Sequence, residues 1–285
     1  MKRKQRGLVV NVVVYTIAFI IGIIASLFSS DILLSSFIFT MVATLPVFIV
    51  SHILQDTSLY DPYWSVEPPV LLFLNMIRFS CWNINAILLF FVFFIWAARL
   101  TINWYVTYKG AGKEDWRYHD FRKKLPAPLF FLLNLFGFQY MPTIVVYLGM
   151  VPGLILMQEP RFHPFTILGY LIMLAGVLLE YLADTTVHTF IKNLKGQRKT
   201  CDIGIWKYSR HPNYLGELTF WFGLLVAYFL VLPNAWYYGI GSIAIDLVFI
   251  CASIPLMENH NKKRRPDYPD YQKRTSVLFL WPPKS

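Results

Sequence analysis

Apolar positions in this chain do not alternate with polar ones; they run on for whole segments. Eight stretches are almost purely hydrophobic, at 8–28, 33–54, 68–82, 85–106, 129–157, 165–188, 214–232 and 235–257. A helix needs about 20 such residues to cross a hydrocarbon core of roughly 30 Å. The pattern predicts an all-α fold, a polytopic membrane helical bundle with about seven to eight transmembrane helices. The third run is short and opens on Glu67-Pro68-Pro69. The fifth is overlong and carries Gly137, Pro142 and Pro152, which predicts a kinked helix or a helix followed by a re-entrant piece. The basic start MKRKQRG before the first run has the look of a secretory leader. That run is long enough to span, so an uncleaved anchor is the expectation.

Composition agrees. Charged residues make up 15% of the chain and hydrophobic ones 56%, against roughly 25% charged in soluble domains. The net charge of +10 would point to nucleic acid in a soluble protein. Here its distribution gives another reading, with no nucleic-acid partner. With the N-terminus in the cytosol and eight alternating spans, the inner segments are 1–7, 55–67, 107–128, 189–213 and 258–285. These hold 23 of the 26 Lys and Arg residues, the positive-inside pattern. Anionic lipid or a cofactor phosphate would account for the remainder. Both termini are expected to be cytosolic, and dropping the short third run would break the pattern. Cys81, Cys201 and Cys251 are odd in number and match no metal spacing, so neither a disulfide nor a metal site is expected.

Polar chemistry concentrates in 201–217, CDIGIWKYSRHPNYLGE. Polar groups entering a membrane helix are costly unless they have a role. Pro212 can open the next helix, which places Asn213, Tyr214 and Glu217 in its first turns beside Arg210 and His211. A helix start presents free N–H groups, and the Asn213 amide offers a donor and an acceptor to a carboxamide. The other reading of Arg210, His211 and Tyr214 is a membrane-interface belt. Glu180, Asp184 and His188 are four apart, on one helix face, and Lys192 continues the line. The two acids can serve ribose hydroxyls or pair with Arg99 or Arg78. The loop after them carries Lys192, Lys195, Arg198 and Lys199, either a solvated basic loop or a clamp for pyrophosphate and a 2′-phosphate, which would favour NADPH. Gly239-Ile240-Gly241-Ser242-Ile243-Ala244 fits G-x-G-x-x-A but lies in an apolar run with no strand before it, a chance match. Two regions are expected: 1–128, N-terminal helices on the substrate side, and 129–285, cofactor-binding helices with a cytosolic tail. The basic, aromatic end NKKRRPDYPDYQKRTSVLFLWPPKS reads as a structured cap or a surface-bound tail.

ADTTVHTF at 183–190, GIWKYSRHPNYLGE at 204–217 and SIPLMENH…YPDYQKRTS at 253–276 resemble the C-terminal domain of the steroid 5-alpha-reductase family. DPYWS at 61–65, WAARL at 96–100 and KEDWRY at 113–118 are similar to its large microbial and eukaryotic branch. The resemblance implies a multi-span oxidoreductase with NADPH among the C-terminal helices, reducing a carbon–carbon double bond of a steroid, sterol, polyprenol or enoyl lipid. It implies cofactor contacts at Asp184, Asn213 and Glu217, and more loosely at His260. Glu180 stands where characterised steroid reductases often have Asn. Hydride addition to a conjugated alkene also needs an acid near the carbonyl oxygen. For it the resemblance points to Asp61 with Tyr60 or Tyr63 beside it; where the family's Tyr is expected, three residues before an Arg, stands Trp96. The Arg-His-Pro-x-Tyr-x-Gly core also occurs in membrane methyltransferases similar to the isoprenylcysteine and phospholipid enzymes, which use S-adenosylmethionine but usually lack counterparts of Asn213 and Glu217. A non-enzymatic lipid-binding protein is the third reading. The host membrane is expected to be endoplasmic reticulum in a eukaryote and the inner membrane in a bacterium.

Overall fold

The computed structural model describes residues 2–194 and 196–284. The chain divides into two compact units, Met1–Phe162 and His163–Ser285. The boundary expected at 128/129 therefore falls inside the first unit, because the helical run beginning at Ala127 packs on helices before it.

In the first unit, α1 (Arg3–Ser26) turns back into α2 (Ile32–Ile53), whose start Asp31 caps by accepting a hydrogen bond from the Leu34 N–H at 2.8 Å. The two helices close tightly at Gly22, where a Cβ would stand 2.9 Å from both the Ala43 methyl and the Phe39 ring. A 3-10 turn at Thr57–Tyr60 leads to α3 (Tyr63–Arg78), then α4 (Ile84–Thr107) and the short α5 (Trp116–Lys124). The overlong fifth run forms one helical rod: α6 (Ala127–Leu132), a widened π-helical stretch Leu133–Tyr140, and α7 (Met141–Leu156). Pro142 has no N–H to return to the Phe138 carbonyl, and the widened turn takes up that loss, so the run neither breaks nor re-enters.

Both ends of this unit are tied by polar side chains. At one end Arg3 donates to the carbonyls of Ala111 (2.6 Å) and Gly112 (3.0 Å), and Lys4 to that of Tyr105 (2.6 Å). Asp56 accepts from the Gly112 N–H at 2.7 Å. At the other end the Arg78 guanidinium donates to the Ser26 carbonyl and hydroxyl, the Ser35 hydroxyl and the Ser29 carbonyl. α3 starts beside the first cluster and finishes in the second.

The second unit is built on α8 (Thr166–Asn193) and α9 (Pro212–Phe229). Their seam is lined by glycine. A Cβ at Gly176 would stand 2.5 Å from the Gly216 carbonyl oxygen, one at Gly216 2.7 Å from that of Gly176, and one at Gly223 2.7 Å from that of Gly169. A 3-10 turn at Pro233–Gly239, α10 (Ile240–Val248), a π-helical stretch Phe249–Ser253 and α11 (Ile254–Arg264) make one long rod, and α12 (Tyr268–Arg274) follows.

Six helices among the described residues are long and apolar enough to cross a membrane: α1, α2, α4, Ala127–Leu156, α8 and Pro233–Arg264. The chain is a polytopic helical membrane protein. The third and seventh expected spans are helices too, but α3 has 16 residues and α9 opens with a polar turn, and neither meets that measure.

Candidate functional site

The second unit holds a partly open cavity of about 210 Å³. α8 supplies Asp184 and Val187, and the segment before α9 supplies Thr200, Cys201, Trp206 and Arg210. The first turn of α9 adds His211, Asn213 and Tyr214. α11 adds Met257 and Asn261, and the segment beyond it Arg265, Tyr268 and Tyr271. Five of the residues singled out in the sequence therefore meet around one space: Asp184, Arg210, His211, Asn213 and Tyr214.

Their roles differ. The Arg210 guanidinium is committed to the protein. It donates to Glu258 at 2.7 Å and to the carbonyls of Gln272 and Thr275, each at 2.8 Å. It clamps the C-terminal segment onto the entrance of α9. His211 lies flat on Tyr214 with ring centroids 5.2 Å apart, and its Nε2 is 3.4 Å from Glu258. The Asn213 amide is half-buried and bonds to no described residue, so both its donor and its acceptor are available in the cavity. The segment leading in is fixed by the Trp206 indole N–H, which donates to the Ala183 carbonyl at 2.9 Å. Tyr271 donates to the carbonyls of Trp206 and Ser209. Burial pushes the Cys201 thiol up to about 11, so it lines the cavity as a neutral group. Asp267 fixes cavity-lining Thr200 by accepting from its N–H and hydroxyl, both at 2.9 Å; although burial works the other way, these bonds hold the Asp267 carboxyl below the usual range.

Other expected residues lie elsewhere. Glu180 is buried in the α8–α9 seam, its Cγ 2.5 Å from where a Gly216 Cβ would be. Glu217 is buried and accepts from the Trp221 indole at 2.9 Å, so its carboxylate serves α9 itself. His260 sits beside Arg264 at 3.3 Å, and its neighbour Asn261 is the one that lines the cavity. Lys192, Arg198 and Lys199 are exposed and outside the lining, and Lys195 lies outside the described residues.

In the first unit Asp61, Tyr60 and Tyr63 do not form one group. Asp61 accepts from the Tyr118 hydroxyl at 2.6 Å and pairs with Arg117 at 3.4 Å; burial pushes its carboxyl up to about 6. The Tyr60 hydroxyl bonds that of Thr143 at 2.7 Å, while Tyr63 is buried with its ring 5.6 Å from that of Tyr60. The acid within electrostatic reach of both phenols is Glu67, fully buried and bonded by the Thr40 hydroxyl. Sequence reasoning passed over Glu67, although it lies one helical turn after Tyr63. It also missed Met257 and Asn261, four apart on one face of α11, Arg265 just past its end, and Tyr268 and Tyr271, three apart.

Residues 47–275 match the model of a family described as "Protein of unknown function (DUF1295)". The chain belongs to this family. It is also similar to uncharacterized protein C594.04c of Schizosaccharomyces pombe, with 25% identity over 194 residues, covering 59% of this chain and 56% of the yeast protein. The match thus spans little more than half the length of that relative. No solved structure matches.

Proposed function

We propose that this member of the family is a membrane-embedded, NADPH-dependent reductase of a carbon–carbon double bond in a lipid such as a sterol, polyprenol or enoyl chain. The observation that carries the reading is the cavity that gathers Asp184 and the uncommitted Asn213 amide at the start of α9. An amide is suited to a carboxamide because it donates and accepts together, and a carboxylate is suited to ribose hydroxyls. At about 210 Å³ the space is smaller than the roughly 300–1,000 Å³ of whole-ligand pockets, so it suits one end of a dinucleotide. The exposed Arg198 and Lys199 immediately precede cavity-lining Thr200, where phosphates of an extended cofactor would find cations.

When bound, NADPH supplies the hydride. The chain's own part is to orient the carboxamide through Asn213, to hold ribose through Asp184, and to keep the site dry with Trp206, Met257 and the clamped C-terminal segment. The lipid reaches the protein from the bilayer, in endoplasmic reticulum or a bacterial inner membrane, with both termini cytosolic.

Thermal melting of the detergent-purified protein with NADPH, NADH or S-adenosylmethionine tests the reading. Ligand at 100 times its Kd stabilises by about 2.7 kcal/mol. We expect NADPH to raise the melting temperature by several degrees and Asn213→Ala to abolish the rise. A shift with S-adenosylmethionine alone would replace the reductase with a methyltransferase, and no shift with any of the three would remove both.

A further inference from the structure

Residues 276–284 are held by hydrogen bonds along their length. The Ser276 carbonyl accepts from the Arg210 N–H at 2.8 Å, and Ser209 and Ser276 form a parallel bridge. The Leu278 carbonyl accepts from the Ser209 hydroxyl at 2.6 Å. The Trp281 N–H donates to Tyr208 at 3.1 Å and the Lys284 N–H to Arg274 at 2.8 Å. The segment is thus an extended ribbon fixed along its length to the residues that enter α9.

Its side chains face outward. Phe279 is 69% exposed and Trp281 70%, with Val277, Leu280, Tyr208 and Ile203 exposed around them. A fixed backbone keeps these groups from folding back onto the protein, so the patch is a lasting feature of the surface and asks for a partner. The ribbon's place says which. Its support, Tyr208–Arg210, runs into α9, is tied by Arg210 to Glu258 near the end of the Pro233–Arg264 rod, and is tied by Trp206 to Ala183 in α8. The patch therefore sits near the end of the Pro233–Arg264 rod and beside the turn of α8 where its apolar run gives way to Asp184, His188 and Lys192, the depth at which acyl chains give way to headgroups. Trp and Tyr favour that depth. Two exposed lysines with no ion-pair partner among the described residues, Lys207 and Lys284, flank the apolar groups, whereas Arg274 and Lys273 are neutralised by Asp202 and Asp270. Amphipathic surfaces of this kind, apolar and aromatic with cations at the rim, seat on anionic lipid.

We propose that residues 277–281, with Tyr208 and Ile203, form an interfacial foot that inserts between the headgroups of an anionic membrane and so holds the entrance of α9. The inference does not rest on the reductase reading.

A nitroxide spin label tests it in the full-length protein in nanodiscs. Cys251, the exposed cysteine, is replaced (Cys251→Ser), and a single label site is introduced as Trp281→Cys or, separately, Phe279→Cys. In discs containing phosphatidylglycerol we expect both labels to relax more with oxygen than with a water-soluble nickel chelate. A comparison label at Asp270→Cys, a strongly exposed position on α12, is expected to show the reverse. In pure phosphatidylcholine, or with Lys207→Gln and Lys284→Gln, the labels at 279 and 281 are expected to shift toward the nickel reagent. Greater relaxation by nickel in the anionic discs would overturn the insertion. Protection from both reagents would overturn it in favour of a protein partner or a second copy. Insertion indifferent to lipid charge would overturn the anionic preference.

Discussion

At the scale of single residues, two acids outside the cavity have measurable consequences. Asp61 is pushed up to about 6 by burial, against the opposing pull of Arg117 and Tyr118. An acid whose folded value exceeds its unfolded value of about 3.9 binds its proton more tightly when folded. Its contribution to stability is therefore fully present below about pH 4 and is lost as pH rises through 6. The shift of roughly two units corresponds to on the order of 2–3 kcal/mol. We expect the melting temperature to fall between pH 4 and 6 and Asp61→Asn to flatten that fall; an unchanged profile would remove Asp61 as its source. Asp246 lies within the Pro233–Arg264 rod, and its Oδ1, like the Ser242 hydroxyl one turn earlier, is buried without a hydrogen-bond partner among the described residues. Since a central carboxylate costs about 2.5–3.5 kcal/mol in a membrane helix, Asp246→Asn is expected to stabilise the protein by roughly 1–3 kcal/mol. A lower melting temperature would mean that the carboxylate has a partner.

At the scale of elements, the α8–α9 seam makes the sharpest prediction. Gly216→Ala puts a methyl 2.7 Å from the Gly176 carbonyl oxygen, a backbone atom that cannot swing aside, and 2.5 Å from Glu180 Cγ. Overpacking of this kind costs about 1–3 kcal/mol. Gly137→Ala meets only the Leu133 side chain, with its nearest atom at 2.7 Å, and is expected to melt close to wild type. Equal effects of the two substitutions would contradict a backbone-to-backbone seam. Much at this scale was legible beforehand: apolar run length located the helices, and the four-residue step from Glu180 placed Asp184 on the face that meets the start of α9. The step could not tell seam from cavity, because that depends on which turn of α8 meets glycine. Glu180 lies opposite Gly216 and is buried in the seam, while Asp184, a turn further on, is at the cavity. Glu217 shows the same limit: the sequence does not reveal that the Trp221 indole, one turn later, donates to its carboxylate.

At the scale of the whole molecule, the pattern of runs predicted the helical membrane class, while the division into units depends on contacts between distant segments that no local pattern records. The rod Ala127–Leu156 belongs with the first unit because it packs on α2, α3 and α4. The clasp at the start of the chain carries a consequence of parity. Arg3 and Lys4 are bonded to Tyr105, Ala111 and Gly112, and a bilayer cannot lie between bonded groups. The chain between them must make an even number of passes. α1, α2 and α4 make three, so α3, running from the Asp61 end to the Arg78 end, is the fourth. Its 16 residues span about 24 Å at 1.5 Å each, some 6 Å less than a typical hydrocarbon core, a mismatch that local thinning of the membrane or snorkelling flanks would have to absorb. Cysteines placed at Lys4 and Lys109 should accordingly react with a membrane-impermeant reagent from the same side. Reaction from opposite sides would mean that α3 does not cross.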